Sequence, residues 1–175
     1  FQGDPGWKSA GRPAAWGSFF YAGTTGSFGQ IDRAVTSPVS AAMSGQIFCN
    51  VGNKLWRAHG TNDTGRPYYV ANVAASAMLQ SDWSATLPVG DRYTGINDML
   101  SLEDNLYLGL PQGLFQGDSS GTFRNVTGEL AGQSNIDNFR DLCVHNGEVI
   151  GQNISGIFAY DPNNTNRARV RQIGP

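Results

Sequence analysis

The chain is 175 residues long, carries a formal net charge of −2, and is 39% hydrophobic, 11% aromatic and only 15% charged. Such a composition excludes extensive disorder, because it offers enough apolar surface to offset the entropy of ordering. The charge excludes a general electrostatic pull toward nucleic acid or an anionic membrane. No apolar run approaches the roughly 20 residues that a membrane-crossing helix needs. Twenty-three glycines against eight prolines, with no periodic block of helix formers, indicate an all-β chain of many tight turns.

The chain opens on Phe1 without an initiator Met, inside what reads as a repeated phrase, and is expected to be a piece of something longer. Residues 1–44 read as a partial unit. Phe1 to Trp7 has the form of a corner between a third and a fourth strand, and Ser18 to Phe28 that of a second strand running into a third. A second unit spans 45–90. Gln46 to Val51 and Lys54 to Ala58 are strands flanking a Gly52-Asn53 turn, and a polar loop, 59–67, is inserted after the second strand. Leu79-Gln80-Ser81-Asp82 and Trp83-Ser84-Ala85-Thr86 are expected to close the unit.

The third unit, 96–130, reads as a four-stranded meander. Its strands are Met99 to Leu102, Leu106 to Gly109, Gly113 to Gln116 and Thr122 to Val126, joined by short turn-rich connections. The fourth, 138–173, repeats it with Leu142 to His145, Glu148 to Gly151, Gly156 to Tyr160 and Ala168 to Ile173. Asp98-Met99-Leu100 falls over Asp141-Leu142-Cys143, and Gly113-Leu114-Phe115 over Gly156-Ile157-Phe158, each pair 43 positions apart. Cys49 and Leu55 fall 51 positions before Leu100 and Leu106, and the 59–67 insertion accounts for the extra length. A period in the low forties built of short strands implies stacked four-stranded sheets, the blades of a β-propeller-like array. The array is read as a fragment of a larger propeller, a compact four-bladed ring or an open array completed by other subunits, with a β-sandwich as the alternative fold.

Cys49 and Cys143 sit in apolar strand-like runs at comparable places in their units. Equivalent strands of separate sheets do not bring Cα atoms within the ~7 Å a disulfide allows, so both are expected to be buried free thiols. Arg167, Arg169 and Arg171 alternate, giving the last strand one basic face that reads as a solvated edge.

The run from Gly117 to Thr127 resembles an Asp-box corner, the turn that joins the third and fourth strands of sialidase-like and sortilin-like propeller blades. Asp118, Gly121, Thr122 and the aromatic Phe123 occur in order, with the spacing one residue longer and Phe in place of Trp. Asp4 and Asp82 begin looser versions, and Asp161 closes the matching phrase in the fourth unit. In that family such corners are structural: the carboxylate accepts turn N–H groups and the aromatic packs between sheets. Over residues 45–173 the texture also resembles blade repeats of bacteriophage virion proteins, which implies a place in an extracellular or virion assembly.

The chemistry-bearing residues are sparse. A sialidase-type centre would draw on Arg57, Arg66, Asp91, Arg92, Tyr93 and Glu103, none in a marking context, and no catalytic centre is expected. His59 and His145 lie in different units, no metal-ligand cluster stands out, and no cofactor is expected. The candidate binding surface is the inserted loop with the aromatic pair behind it: His59, Asn62, Asp63, Arg66, Tyr68 and Tyr69. The reading is a non-catalytic structural or interaction module whose partners are other protein subunits and, in the alternative, a surface glycan bound as by a propeller lectin or adhesin. A sialidase-like glycoside hydrolase is the lesser alternative.

Overall fold

The computed structural model describes residues 14–16, 19–23, 28–32, 39–41, 47–58, 68–70, 84–85, 96–118, 122–127, 138–164 and 170–175. They form four antiparallel sheets of four strands. The first sheet holds β1 (Ala14–Trp16), β2 (Phe19–Gly23), β3 (Phe28–Asp32) and β4 (Val39–Ala41). The second holds β5 (Ile47–Val51), β6 (Lys54–Ala58), β7 (Tyr68–Val70) and β8 (Ser84–Ala85). The third is β9 (Asp98–Leu102), β10 (Asn105–Leu110), β11 (Gly113–Asp118) and β12 (Phe123–Asn125). The fourth is β13 (Arg140–His145), β14 (Glu148–Asn153), β15 (Gly156–Tyr160) and β16 (Val170–Gly174). In every sheet the strands lie side by side in chain order, so each unit is a meander. Four separate meanders are a blade array, and the sandwich alternative, which needs two facing sheets, falls away.

Local sequence explains the hairpins. Asn146 and Gly147 both take positive φ (51° and 79°), the geometry of a two-residue turn whose twist matches the strands it joins, and His145 pairs with Glu148 across it. The next hairpin of the third and fourth sheets ends on a glycine 43 residues apart, Gly113 (φ 128°) and Gly156 (φ 141°), a backbone state closed to L side chains. The repeat is therefore written into the backbone as well as the apolar pattern.

Two expectations need correction here. The second sheet takes Tyr68–Val70 as its third strand, with Tyr68 opposite Arg57 and Tyr69 opposite Trp56, where the sequence suggests residues 79–82. The aromatic, β-branched run Tyr-Tyr-Val suits a strand better than the echo phrase does. The first unit, expected to be partial, supplies a sheet of four strands. Its short β1 and β4 carry too little pattern to be recognised alone. Strand β8 falls within the expected closing run; Asp4, residues 59–67 and Asp82 lie outside the described residues.

The sheets pack face to face in chain order, with the first strands β1, β5, β9 and β13 approaching one another. Between the second and third sheets Ile47, Cys49, Val51 and Trp56 bury against Met99, Leu106, Leu108 and Phe115. Between the third and fourth, Leu100, Tyr107 and Leu114 bury against Phe139, Leu142, Val149, Phe158 and Tyr160. Each large apolar side chain so buried contributes on the order of 1.5–3 kcal/mol.

Candidate functional site

Alternation along a strand gives each sheet one face toward its predecessor and one toward its successor. On the third sheet the face toward the fourth is a cross-strand row of Leu100, Tyr107, Gln116 and Arg124. The corresponding row of the fourth sheet is Cys143, Ile150, Ala159 and Arg171. The register thus matches the 43-residue repeat at the first three positions and adds Arg124 and Arg171 as a fourth pair.

The two rows differ in their surroundings. Leu100 and Tyr107 are buried under the fourth sheet, as Cys49 and Trp56 of the second sheet are buried under the third. Cys143 is exposed, Ile150 is half-buried, and Ile157, the counterpart of buried Leu114, is 38% exposed. The expectation of two buried thiols therefore holds for Cys49 and fails for Cys143; neither is in a disulfide. The reason is positional. Cys143 stands on the face that a fifth sheet would cover, and among the described residues none does.

Arg171 and Glu148 form a salt bridge across β15 on this outward face. The bidentate hydrogen bond from Arg171 chiefly holds the Glu148 carboxyl below its ordinary range, and the same bond raises the Arg171 guanidinium. Arg171 is half exposed, in keeping with the solvated edge read from the alternating arginines; Arg167 and Arg169 lie outside the described residues. Asp141 accepts from the Gln152 side chain at the rim of the same face.

The junction of the third and fourth sheets shows how such a face is used. Asp98, buried at the head of β9, accepts from the Met99 N–H at 2.7 Å and from the Leu142 N–H of the next sheet at 2.6 Å. Asn97 Nδ2 donates to the Phe139 carbonyl and to Asn138 Oδ1, both at 3.0 Å. Farther out, Tyr160 donates its hydroxyl to Gln116 Oε1 at 2.9 Å. Arg124 donates to Gln116 Oε1 at 2.8 Å and to the Tyr160 hydroxyl at 3.1 Å. Tyr107 packs against Tyr160 with ring centroids 6.0 Å apart. Its phenol, pushed above its ordinary pKa first by burial and then by Tyr160 and Glu103, finds no hydrogen-bond partner among the described residues. Beside this cluster a shallow cleft of about 250 Å³ is lined by Asn105, Gln116, Asp118, Thr122, Phe123 and Arg124.

The corner residues have structural surroundings. Asp118 Oδ1 accepts from the Thr122 N–H at 3.3 Å, and Phe123 meets Trp56 edge-on at 6.3 Å across the junction of the second and third sheets. Asp161 Oδ1 accepts from the Asn163 N–H at 2.9 Å, an Asx turn. Of the proposed binding residues, His59, Asn62, Asp63 and Arg66 lie outside the described residues, while Tyr68 and Tyr69 belong to β7 and so to the body of a sheet. Arg57 is buried in β6, Glu103 occupies an exposed turn, and His145 is exposed beside Asn146. No group of three or more potential metal ligands occurs among the described residues. Sequence reasoning missed the outward row and the Arg124–Gln116–Tyr160 cluster. The 43-residue repeat carries the signal for the first, since equal positions in successive units face equal neighbours.

Four meanders packed in order through their first strands define a β-propeller-like blade array. No protein-family model matches the chain, and no curated protein matches it by sequence. Solved structures share the fold. The extracellular domain of the hybrid two-component system BT4673 from B. thetaiotaomicron superposes on 99% of this chain with a TM-score of 0.70 at 17% identity. This chain spans only 23% of that one. YCF48 from Cyanidioschyzon merolae matches 82% of the chain with a TM-score of 0.56 at 12% identity, over 48% of its own length. Glutaminyl cyclase from Myxococcus xanthus matches 93% with a TM-score of 0.53 at 14% identity, over 69% of its own length. An extracellular domain and an enzyme on one scaffold carry the fold to this chain and leave function to its own residues.

Proposed function

We propose that this chain is a non-catalytic, propeller-type interaction module that works outside the cell within a larger assembly. The carrying observation is the outward row of the fourth sheet. Cys143 and Ile157 are exposed and Ile150 is half-buried at positions where the preceding sheet buries Leu100, Tyr107 and Leu114. The structural uses of the polar groups support the non-catalytic part: Asp98 joins two sheets, Asp118 and Asp161 close turns, and Glu148 pairs with Arg171. The likeness to an extracellular domain favours the extracellular setting. A virion is the narrower form of this reading, on the resemblance of residues 45–173 to phage blade repeats.

The test is labelling of Cys143 with a membrane-impermeant maleimide on intact producing cells or particles, with antibodies against the chain reporting surface access. Antibodies should bind, and Cys143 should stay unlabelled until the protein is denatured. Labelling at the rate of the denatured chain would overturn the interaction reading, and failure of the antibodies to bind would overturn the extracellular one.

Carbohydrate binding is a second reading, favoured by the cleft lined by Asn105, Gln116, Asp118 and Arg124. Amide, carboxylate and guanidinium groups suit the hydroxyls of a sugar. Titration with free saccharides should then give heat with the wild type and none with Arg124→Ala.

A further inference from the structure

We propose that the Asn146-Gly147 turn of the fourth sheet is a self-modification site, at which Asn146 loses its side-chain amide as ammonia while the His145 imidazole carries the proton. The sequence singles the place out. This is the chain's single Asn-Gly step, and every other asparagine precedes a residue that bears a side chain. Loss of the amide begins when the backbone nitrogen of the following residue reaches the asparagine side-chain carbonyl carbon, and a Cβ on that residue crowds the approach. Asn125 precedes Val126 and Asn153 precedes Ile154, both β-branched. Their carboxamides are engaged as well: Asn125 Oδ1 accepts from the Thr127 N–H at 2.9 Å, and Asn153 Oδ1 from the Ser155 N–H at 2.8 Å.

The structure leaves the reacting groups of Asn146 and Gly147 room to meet. Both residues are exposed, and a Cβ built on Gly147 would meet nothing within 4 Å, so the space that ring closure needs is open. The strand ladder closes on the pair His145 and Glu148, which leaves the Gly147 amide outside it. Asn146 Nδ2 lies 3.1 Å from His145 Nε2. In the reaction the Gly147 nitrogen attacks Asn146 Cγ, forms the new C–N bond and gives up its proton. The side-chain nitrogen, now an amine on a tetrahedral carbon, takes a proton from His145 Nε2 and leaves with the electrons of the Cγ–Nδ2 bond. The imidazole regains the proton that Gly147 released, so it ends as it began. Water then opens the cyclic imide, at the side-chain carbonyl to an aspartyl residue or at the main-chain carbonyl to an isoaspartyl one. Water is the only co-reactant.

The repeat shows which product the fold accepts. Glu103 stands 43 positions earlier, in the turn of the equivalent hairpin of the third sheet, with φ 54° against 51° at Asn146. A carboxylate is thus already carried at that corner. The aspartyl product fits the hairpin and adds a negative charge beside His145 and Glu148. The isoaspartyl product lengthens the main chain between His145 and Glu148, and a hairpin whose register is fixed by its turn length cannot keep that pairing. One product therefore preserves the pairing of β13 with β14 and the other loosens it.

The experiment is timed incubation of the purified folded chain at neutral pH, followed by anion exchange, peptide mapping and methyl transfer by an isoaspartyl methyltransferase. The wild type should gain one negative charge at position 146, with an isoaspartyl fraction there, while Asn125 and Asn153 stay intact. Asn146→Asp should co-elute with the aspartyl form and keep the wild-type circular dichroism. Gly147→Ala should slow conversion by about an order of magnitude, since a Cβ removes the backbone freedom that ring closure uses. His145→Gln should slow it severalfold, and free imidazole should accelerate this variant more than it accelerates the wild type, a rescue that a merely structural histidine would not show.

An Asn146 that stays intact in the folded chain, while the urea-unfolded chain converts, would overturn the proposal. Conversion spread evenly over the asparagines would do the same. Equal rates for the wild type and His145→Gln, with no preferential rescue by imidazole, would overturn the role given to His145.

Discussion

Asp98 is the residue on which the junction of the third and fourth sheets most depends. Its two oxygens accept from the backbone N–H groups of Met99 and Leu142, tying two successive sheets together in a buried setting. Asp98→Ala should therefore cost about 2 kcal/mol or more, read as a lowered urea midpoint at unchanged slope. The tyrosines of the same junction should behave oppositely. Tyr160→Phe loses hydrogen bonds with Gln116 and Arg124 and should cost about 1 kcal/mol. Tyr107→Phe removes a buried hydroxyl without a partner among the described residues and should leave stability equal or higher. A Tyr107→Phe chain less stable than Tyr160→Phe would contradict this account of the cluster. Glu148 gives a pH dependence of known sign. Its folded pKa is lowered, so the contribution of its pair with Arg171 is present above the ordinary carboxylate range and lost as pH falls through the folded value. The pair is solvent-screened, so Glu148→Gln should change stability by less than about 1 kcal/mol at neutral pH and by nothing in strong acid.

At the scale of elements, glycines separate turn chemistry from sheet contact. A Cβ on Gly109 would lie 2.6 Å from the Phe139 carbonyl oxygen, a backbone atom of the connection into the next sheet that cannot move alone. Gly109→Ala should open the junction of the third and fourth sheets and cost roughly 2 kcal/mol or more. Gly147→Ala meets open space and suffers only its positive φ, about 1 kcal/mol, and chemical denaturation of the two variants side by side orders them. The third and fourth sheets were legible in the sequence because their hairpins are local, with turns of two residues and a shared offset of 43. The third strand of the second sheet was not. The phrase at 77–82 imitates a third strand, whereas the strand that pairs comes after an insertion whose length no local rule fixes. Two- and three-residue strands such as β8 and β1 carry too few alternations to be read without a partner. Of the site, the turn roles of Asp118 and Asp161 follow from the corner phrase. The polar cluster does not, because Tyr160 comes to Gln116 and Arg124 from a different sheet.

The whole molecule is a series in which each sheet supplies half a core and its successor the other half, so a side chain on a forward face is buried only where another sheet covers it. That is why Cys49 and Cys143, alike in local sequence, have opposite exposures. Each junction carries an aromatic pair: Tyr21 with Phe48 at 6.2 Å, Trp56 with Phe123 at 6.3 Å, and Tyr107 with Tyr160 at 6.0 Å. The most direct test is therefore a ring-proton nuclear Overhauser spectrum of the aromatically labelled chain. The account predicts a cross-peak for each of these three pairs and none that skips a sheet, such as Trp56 to Tyr160. A missing junction, or contact between rings of the second and fourth sheets, would contradict the ordered blade array.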